Sequence, residues 1–116
     1  MKNELKKRTK SFALAVIKMT ELMPKKTVSF VLEKQIIRSA TSVGANYRAA
    51  LRGRSKAEFA AKLGIVEEEA DETCYWLELI EESNLVESSV LKPLYKEANE
   101  LTAIFTAMCK TAKKNK

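Results

Sequence analysis

Apolar residues recur at helical spacing along almost the whole chain. Leu5, Phe12, Val16, Met19 and Met23 fall on one face of a first helix. The pattern predicts that helix over about residues 5–23, with Pro24 as its stop, because a residue before proline avoids helical angles. Lys25 and Lys26 form a short link. A second helix is predicted over about 28–52, capped by Thr27 or Ser29. Its stripe reads Phe30, Ile37, Gly44 and Leu51, with Ala40 and Tyr47 between them. Gly53 then sits where helices commonly end on glycine.

Ser55-Lys-Ala-Glu58 is a capping box and the clearest boundary in the chain. It opens a third helix over 56–82, in which Phe59, Leu63, Val66, Ala70, Thr73, Leu77 and Ile80 alternate by four and three. That alternation is a bundle seam. Ser83 and Asn84 break it, and a fourth helix follows over about 89–112, capped by Ser88 or Ser89. Its seam is Leu94, Ala98, Leu101, Phe105, Met108 and Ala112, with Pro93 near the first turn and a lysine-rich end expected to fray. Four long amphipathic helices on short connections predict an all-α, up-down-up-down antiparallel four-helix bundle, one domain over 1–116.

Composition agrees with this. Three glycines, two prolines and few strand-forming runs make a helical chain, long enough to bury a core without staples. Cys74 and Cys109 are lone thiols without metal or redox spacing, which points to a reducing compartment. The start is too charged for a secretion signal, and the apolar run 12–17 is too short to span a bilayer. The expectation is a soluble cytoplasmic protein with no membrane contact.

Charge changes the picture more. Residues 1–54 carry a net +10, residues 55–100 a net −8 and residues 101–116 a net +4. Such asymmetry fits an anionic partner, a self-complementary assembly, or both. Up-down topology would gather Lys2, Lys6, Lys7, Arg8, Lys10, Arg48, Arg52, Arg54, Lys56, Lys110, Lys113, Lys114 and Lys116 at one pole. A basic pole is the footprint of phosphate-backbone binding. Lys6, Lys7, Lys10, Arg48, Arg52, Arg54, Lys113 and Lys114 are the candidate nucleic-acid contacts. No aromatic residue interleaves them, so base stacking is not indicated, and binding would be weakly sequence-specific and strongly salt-dependent. The plainer account, that lysine-rich termini only solubilise the chain, stays open.

The third helix also has an ordered outer side. Ala61, Gly64, Glu68, Glu72, Tyr75 and Leu79 cluster opposite its seam, with Ile65 and Trp76 at the edge. A mid-helix glycine beside aromatics fits a subunit interface better than a solvated face. On the second helix, Lys34, Arg38, Thr41, Ala45, Arg48 and Arg52 share one arc, and its arginines can meet Glu68, Asp71 or Glu72 within a subunit or across an interface. Arg38, Gly64, Glu68, Glu72, Tyr75, Trp76 and Leu79 are the candidate interface residues.

The chain has no histidine, which removes histidine triads, histidine zinc sites and Glu-x-x-His di-iron motifs. Glu67, Glu68, Glu69 and Glu72 spread around a helix axis, and Gly44, Gly53 and Gly64 are too isolated for a phosphate-cradling loop. No catalytic residue, metal or cofactor is expected, and the chain reads as a non-enzyme.

Three segments, Arg38-Ser-Ala-Thr-Ser-Val-Gly-Ala-Asn-Tyr-Arg48, Ser55-Lys-Ala-Glu-Phe59 and Glu68-Glu-Ala-Asp-Glu-Thr-Cys-Tyr-Trp-Leu77, resemble a bacterial family of four-helix bundles. It is the 23S rRNA-intervening-sequence protein, or S23-like, family, and the resemblance covers nearly the whole chain. Members are often encoded within insertions in the large ribosomal RNA gene. The resemblance implies a ring of bundles, a homopentamer, and no catalytic residues to carry over. A related branch accompanies retroelement reverse transcriptases and is thought to bind nucleic acid; this chain matches the Gly-Ala-Asn-Tyr-Arg form instead. The leading expectation is a homo-oligomeric bundle that binds RNA or a ribonucleoprotein through its basic pole. The competing one is a protein-interaction scaffold with no nucleic-acid role.

Overall fold

Each stretch of helical periodicity folds as a helix, and the breaks fall where local chemistry forbids continuation. The computed structural model describes residues 2–115. It contains α1 (Lys2–Thr20), α2 (Thr27–Leu51), α3 (Lys56–Glu82) and α4 (Ser88–Lys114). They pack antiparallel in sequence order into a rod with principal extents of 46 × 21 × 21 Å.

α1 stops three residues earlier than Pro24 alone predicts. Glu21, Leu22 and Met23 donate to the carbonyls of Lys18, Met19 and Thr20, so the chain tightens into i→i−3 turns before the proline. Neither predicted serine or threonine cap forms at α2 or α4. Lys26 and Glu87 hold the N-cap positions without side-chain bonds; Thr27 and Ser88 are already helical, and Ser29 is buried. Ser55 does cap α3, its Oγ accepting from the Glu58 N–H at 3.1 Å. α4 is helical through Lys114, two residues past its expected end, and Lys116 lies outside the described residues.

The ends of α2 and α3 differ from the simple expectation in an instructive way. Gly53 does not adopt a positive φ; that conformation belongs to Asn84, at φ 56°. Asn84 N–H donates to Glu81 O and Leu85 N–H to Ile80 O, and Leu85 and Ile80 are both buried. This is a Schellman ending with its hydrophobic contact, built on asparagine. Gly53 matters for space instead of conformation, since a Cβ there would lie 3.1 Å from Ala50 O and 3.2 Å from Phe59 N. Its missing side chain lets the α2–α3 turn close.

The core confirms the α3 seam from Leu63 to Ile80, adds Cys74, and leaves Phe59 half-buried at the edge. The predicted α1 residues are all buried, with Thr9 and Thr20 beside them. In α4, Ala98, Leu101 and Phe105 are buried as predicted, Leu91 and Cys109 join them, and Leu94, Met108 and Ala112 pack alongside. The α2 register is a correction. Its core face is Leu32, Ile36, Ala40, Val43, Tyr47 and Ala50, together with Ser29 and Ser39. Phe30 is 51% exposed, and Ile37, Gly44 and Leu51 lie only at the flank. Polar side chains make this stripe tolerable: Ser39 Oγ donates to Ile36 O at 3.3 Å, and Thr73 Oγ1 lies 2.8 Å from both Ser39 Oγ and Glu69 O, its one proton shared between those two acceptors. Each large side chain in the core stabilises by about 1.5–3 kcal/mol, most of it offset by chain entropy.

Helix α3 packs intimately on α2 and α4, whereas α1 stands off from α4. Between them lies a cleft of about 670 Å³ lined by Leu5, Phe12, Leu94 and Ile104. Arg8 bridges the same two helices, its Nε to Glu97 Oε2 at 2.6 Å and its Nη2 to Glu97 Oε1 and Glu100 Oε1 at 2.7 Å each.

Candidate nucleic-acid interface

Alternating helix direction brings the start of α1, the α2–α3 turn and the end of α4 to one end of the rod. Two clefts show the convergence directly. Lys6, Lys7 and Lys10 of α1 face Arg48 of α2 across a cleft of about 400 Å³, floored by Gly44 and Thr9. Lys56 of α3 lies beside Thr111 and Ala112 of α4 and its C-cap residue Asn115. The sequence-predicted cations therefore do gather, but not as one undivided patch. Lys6, Lys7, Lys10 and Arg48 share the α1–α2 cleft; Arg52 and Arg54 sit at the turn; Lys113 and Lys114 end α4.

Arg8 leaves the group. Its guanidinium is turned sideways onto Glu97 and Glu100, whose hydrogen bonds hold it firmly protonated. Among the described residues, every ion pair involves either Arg8 or Arg38. Among the described residues, the remaining cations of the pole have no carboxylate within salt-bridge distance. Like charges crowded this way repel one another, and a polyanion relieves that repulsion while releasing its counterions.

Spacing alone misses one aromatic at this pole. Phe59 belongs to the α3 seam by periodicity, yet its half-buried side chain lines a cleft of about 540 Å³ together with Met108 and Ala112 of α4. Periodicity marks it as core; only the three-dimensional end of the bundle shows that the core is open there.

The outer side of α3 is a separate surface. Tyr75 is 52% exposed and Ile65 38% exposed, while Trp76 and Leu79 are half-buried. The Tyr75 and Trp76 rings meet edge to face with centroids 5.1 Å apart. A Cβ on Gly64 would meet nothing within 4 Å, so the fold of one chain gives no reason for glycine there. Arg38 pairs with Glu69 at 3.2 Å and with Glu72, and Glu72 also accepts from Trp76 Nε1 at 3.1 Å. Arg38 and Glu72 are thus engaged within the chain, whereas Glu68 is exposed and pairs with no cation among the described residues. Arg48 turns toward α1 instead of toward the acids of α3.

The acidic run of α3 is split among partners. Glu67 accepts from Thr106 Oγ1 at 2.6 Å on the α4 side, and Glu69 faces Arg38 on the α2 side. No group of three or more potential metal ligands gathers among the described residues. Burial pushes both thiols up: Cys74 packs near Asn99 and Thr102, and Cys109 lies in the core of α4. Neither has the electropositive setting that activates a cysteine. No helix among the described residues is long and apolar enough to cross a membrane.

The family model described as 23S rRNA-intervening sequence protein matches residues 1–107. Among solved structures, a protein of unknown function from the S23 ribosomal protein family of Bacteroides thetaiotaomicron VPI-5482 superposes with a TM-score of 0.86 at 33% identity. The alignment covers 95% of this chain and 99% of that one. No curated protein matches.

Proposed function

The chain belongs to the 23S rRNA-intervening sequence protein family, and from that premise we propose a homo-oligomeric, non-enzymatic bundle that binds RNA through its basic pole. The observation that carries this reading is the absence of carboxylate partners for Lys6, Lys7, Lys10, Arg48, Arg52, Arg54, Lys113 and Lys114 among the described residues. Acids elsewhere in the fold draw Arg8 and Arg38 aside. A phosphate backbone supplies the countercharge that the described residues do not.

Assembly strengthens the same reading. The outer side of α3 offers Gly64, Tyr75 and Ile65 to a sister chain, with Trp76 and Leu79 at its border. In a ring, each subunit would repeat the basic pole, and binding several phosphate tracts at once raises avidity steeply. Five subunits is the number the family resemblance implies, and the cytoplasm is the compartment that suits RNA binding and free thiols.

Mobility shift of structured RNA across a salt series tests the proposal. Retarded complexes at low salt should weaken steeply as salt rises. Charge reversal at Arg52, Arg54, Lys113 and Lys114 should abolish the shift while light scattering still reports the intact oligomer. No shift even at low salt would overturn RNA binding and favour a scaffold that presents helix faces to another protein.

A further inference from the structure

We propose that the cleft between the start of α3 and the end of α4 is a pocket for an unpaired nucleobase, so that the protein prefers RNA with single-stranded or extruded bases over uninterrupted duplex. The inference rests on the RNA-binding reading above and adds to it a recognised structure.

The cleft is open to solvent and offers about 540 Å³, within the range of small-molecule sites. Its floor is Phe59, Met108 and Ala112: an aromatic ring, a polarizable thioether and a methyl group. Such a floor suits a flat, weakly polar heterocycle. The rim is Lys56, Thr111 and Asn115. Thr111 spends its hydroxyl proton on Ala107 O at 3.2 Å, so its oxygen still accepts. Asn115 offers both a donor and an acceptor, and Lys56 donates. Donors and acceptors around an apolar floor can read the edge of a base.

The surrounding charge identifies the occupant. Among the described residues, no carboxylate lines the cleft. Arg52 and Arg54 lie in the turn that leads to Lys56, and Lys110, Lys113 and Lys114 lie on the turns of α4 that end beside it. An apolar peptide would fill the floor but leave this cationic surround unanswered. A nucleotide answers both, its base on Phe59 and its flanking phosphates on the lysines. Duplex ends and stems cannot enter, because their bases are stacked and paired.

Fluorescence anisotropy with a labelled oligouridine and a blunt RNA duplex of equal length tests this. The unmodified protein should bind the oligouridine more tightly. Ala107→Leu, at an exposed position on the cleft wall, fills the space without charge or aromaticity. Phe59→Leu removes the stacking surface but keeps apolar bulk. Each should weaken oligouridine binding by roughly tenfold and leave duplex affinity and its salt slope unchanged. Iodouridine in the oligomer should photocrosslink to the peptide that carries Phe59 or Met108. If both variants keep full oligouridine affinity, or crosslinks form only elsewhere, the base pocket is overturned while phosphate binding stands. If the unmodified protein binds neither RNA at low salt, both readings fall together.

Discussion

Gly44 of α2 faces Thr9 of α1 so closely that a Cβ would lie 3.1 Å from the threonine Oγ1. Thr9 is fully buried, and its hydroxyl is already committed to Leu5 O at 2.7 Å and Lys6 O at 3.2 Å. It has little freedom to yield. Gly64, in contrast, has open space around its missing Cβ. The two helical glycines should therefore respond oppositely to alanine. Gly64→Ala should raise single-chain stability by about 0.5–1 kcal/mol through helix propensity. Gly44→Ala should lower it by about 1 kcal/mol, overpacking outweighing the same gain. Urea unfolding of both variants checks the contrast.

Assembly makes a separate demand on the same position. If a sister chain packs on the outer side of α3, Gly64→Arg and Tyr75→Glu should reduce the oligomer to a smaller species without loss of helicity. Light scattering and far-ultraviolet dichroism measure the two quantities. A compact monomer for the unmodified protein would end this part of the proposal.

Alkaline pH offers a third check. Burial raises Cys74 and Cys109 above the ordinary thiol value of 9.0, and Tyr47 above the ordinary phenol value of 10.0. The folded state therefore holds these protons more tightly than the unfolded state. The associated stability is fully present below about pH 9, and is lost as pH rises through the folded values. Thermal midpoints should fall above about pH 9, less so in a Cys74→Ala, Cys109→Ala variant. At neutral pH both thiols should resist alkylation until the protein unfolds.

Tyr47 adds a related case. Its hydroxyl is buried against the core and finds no hydrogen-bond partner among the described residues, while its ring meets Phe105 at a centroid distance of 5.4 Å. Tyr47→Phe keeps the ring contact and removes the unpaired group. The variant should be no less stable than the parent, and more stable by up to about 1 kcal/mol in chemical denaturation.

The residues differ in how openly they declare themselves. Helix α3 is legible because its four-three alternation is clean and Ser55 marks its start. The register of α2 is not, because that helix carries apolar residues on more than one side. Phe30 and Val31 are strongly hydrophobic yet 51% and 54% exposed, while Ser29 and Ser39 are buried. A rule that sends apolar residues inward chooses the wrong stripe unless Thr73, from another helix, is there to satisfy Ser39. The cationic pole follows from topology plus charge, so sequence reaches it. Removal of Arg8 by Glu97 and Glu100 depends on which residues meet between the first and last helices, and spacing within a helix carries no such information. The exposure of Phe59 in a cleft is hidden for the same reason.

The gap between the first and last helices, clasped by one arginine, makes α1 the leaf most easily lifted from the rod. Breathing there would spare the three-helix remainder while loosening the wall that carries Lys6, Lys7 and Lys10. Hydrogen exchange should find amides of α1 opening before those of α3. A partner that grips those lysines should slow them, so the same measurement registers a bound anion through the quieting of one helix.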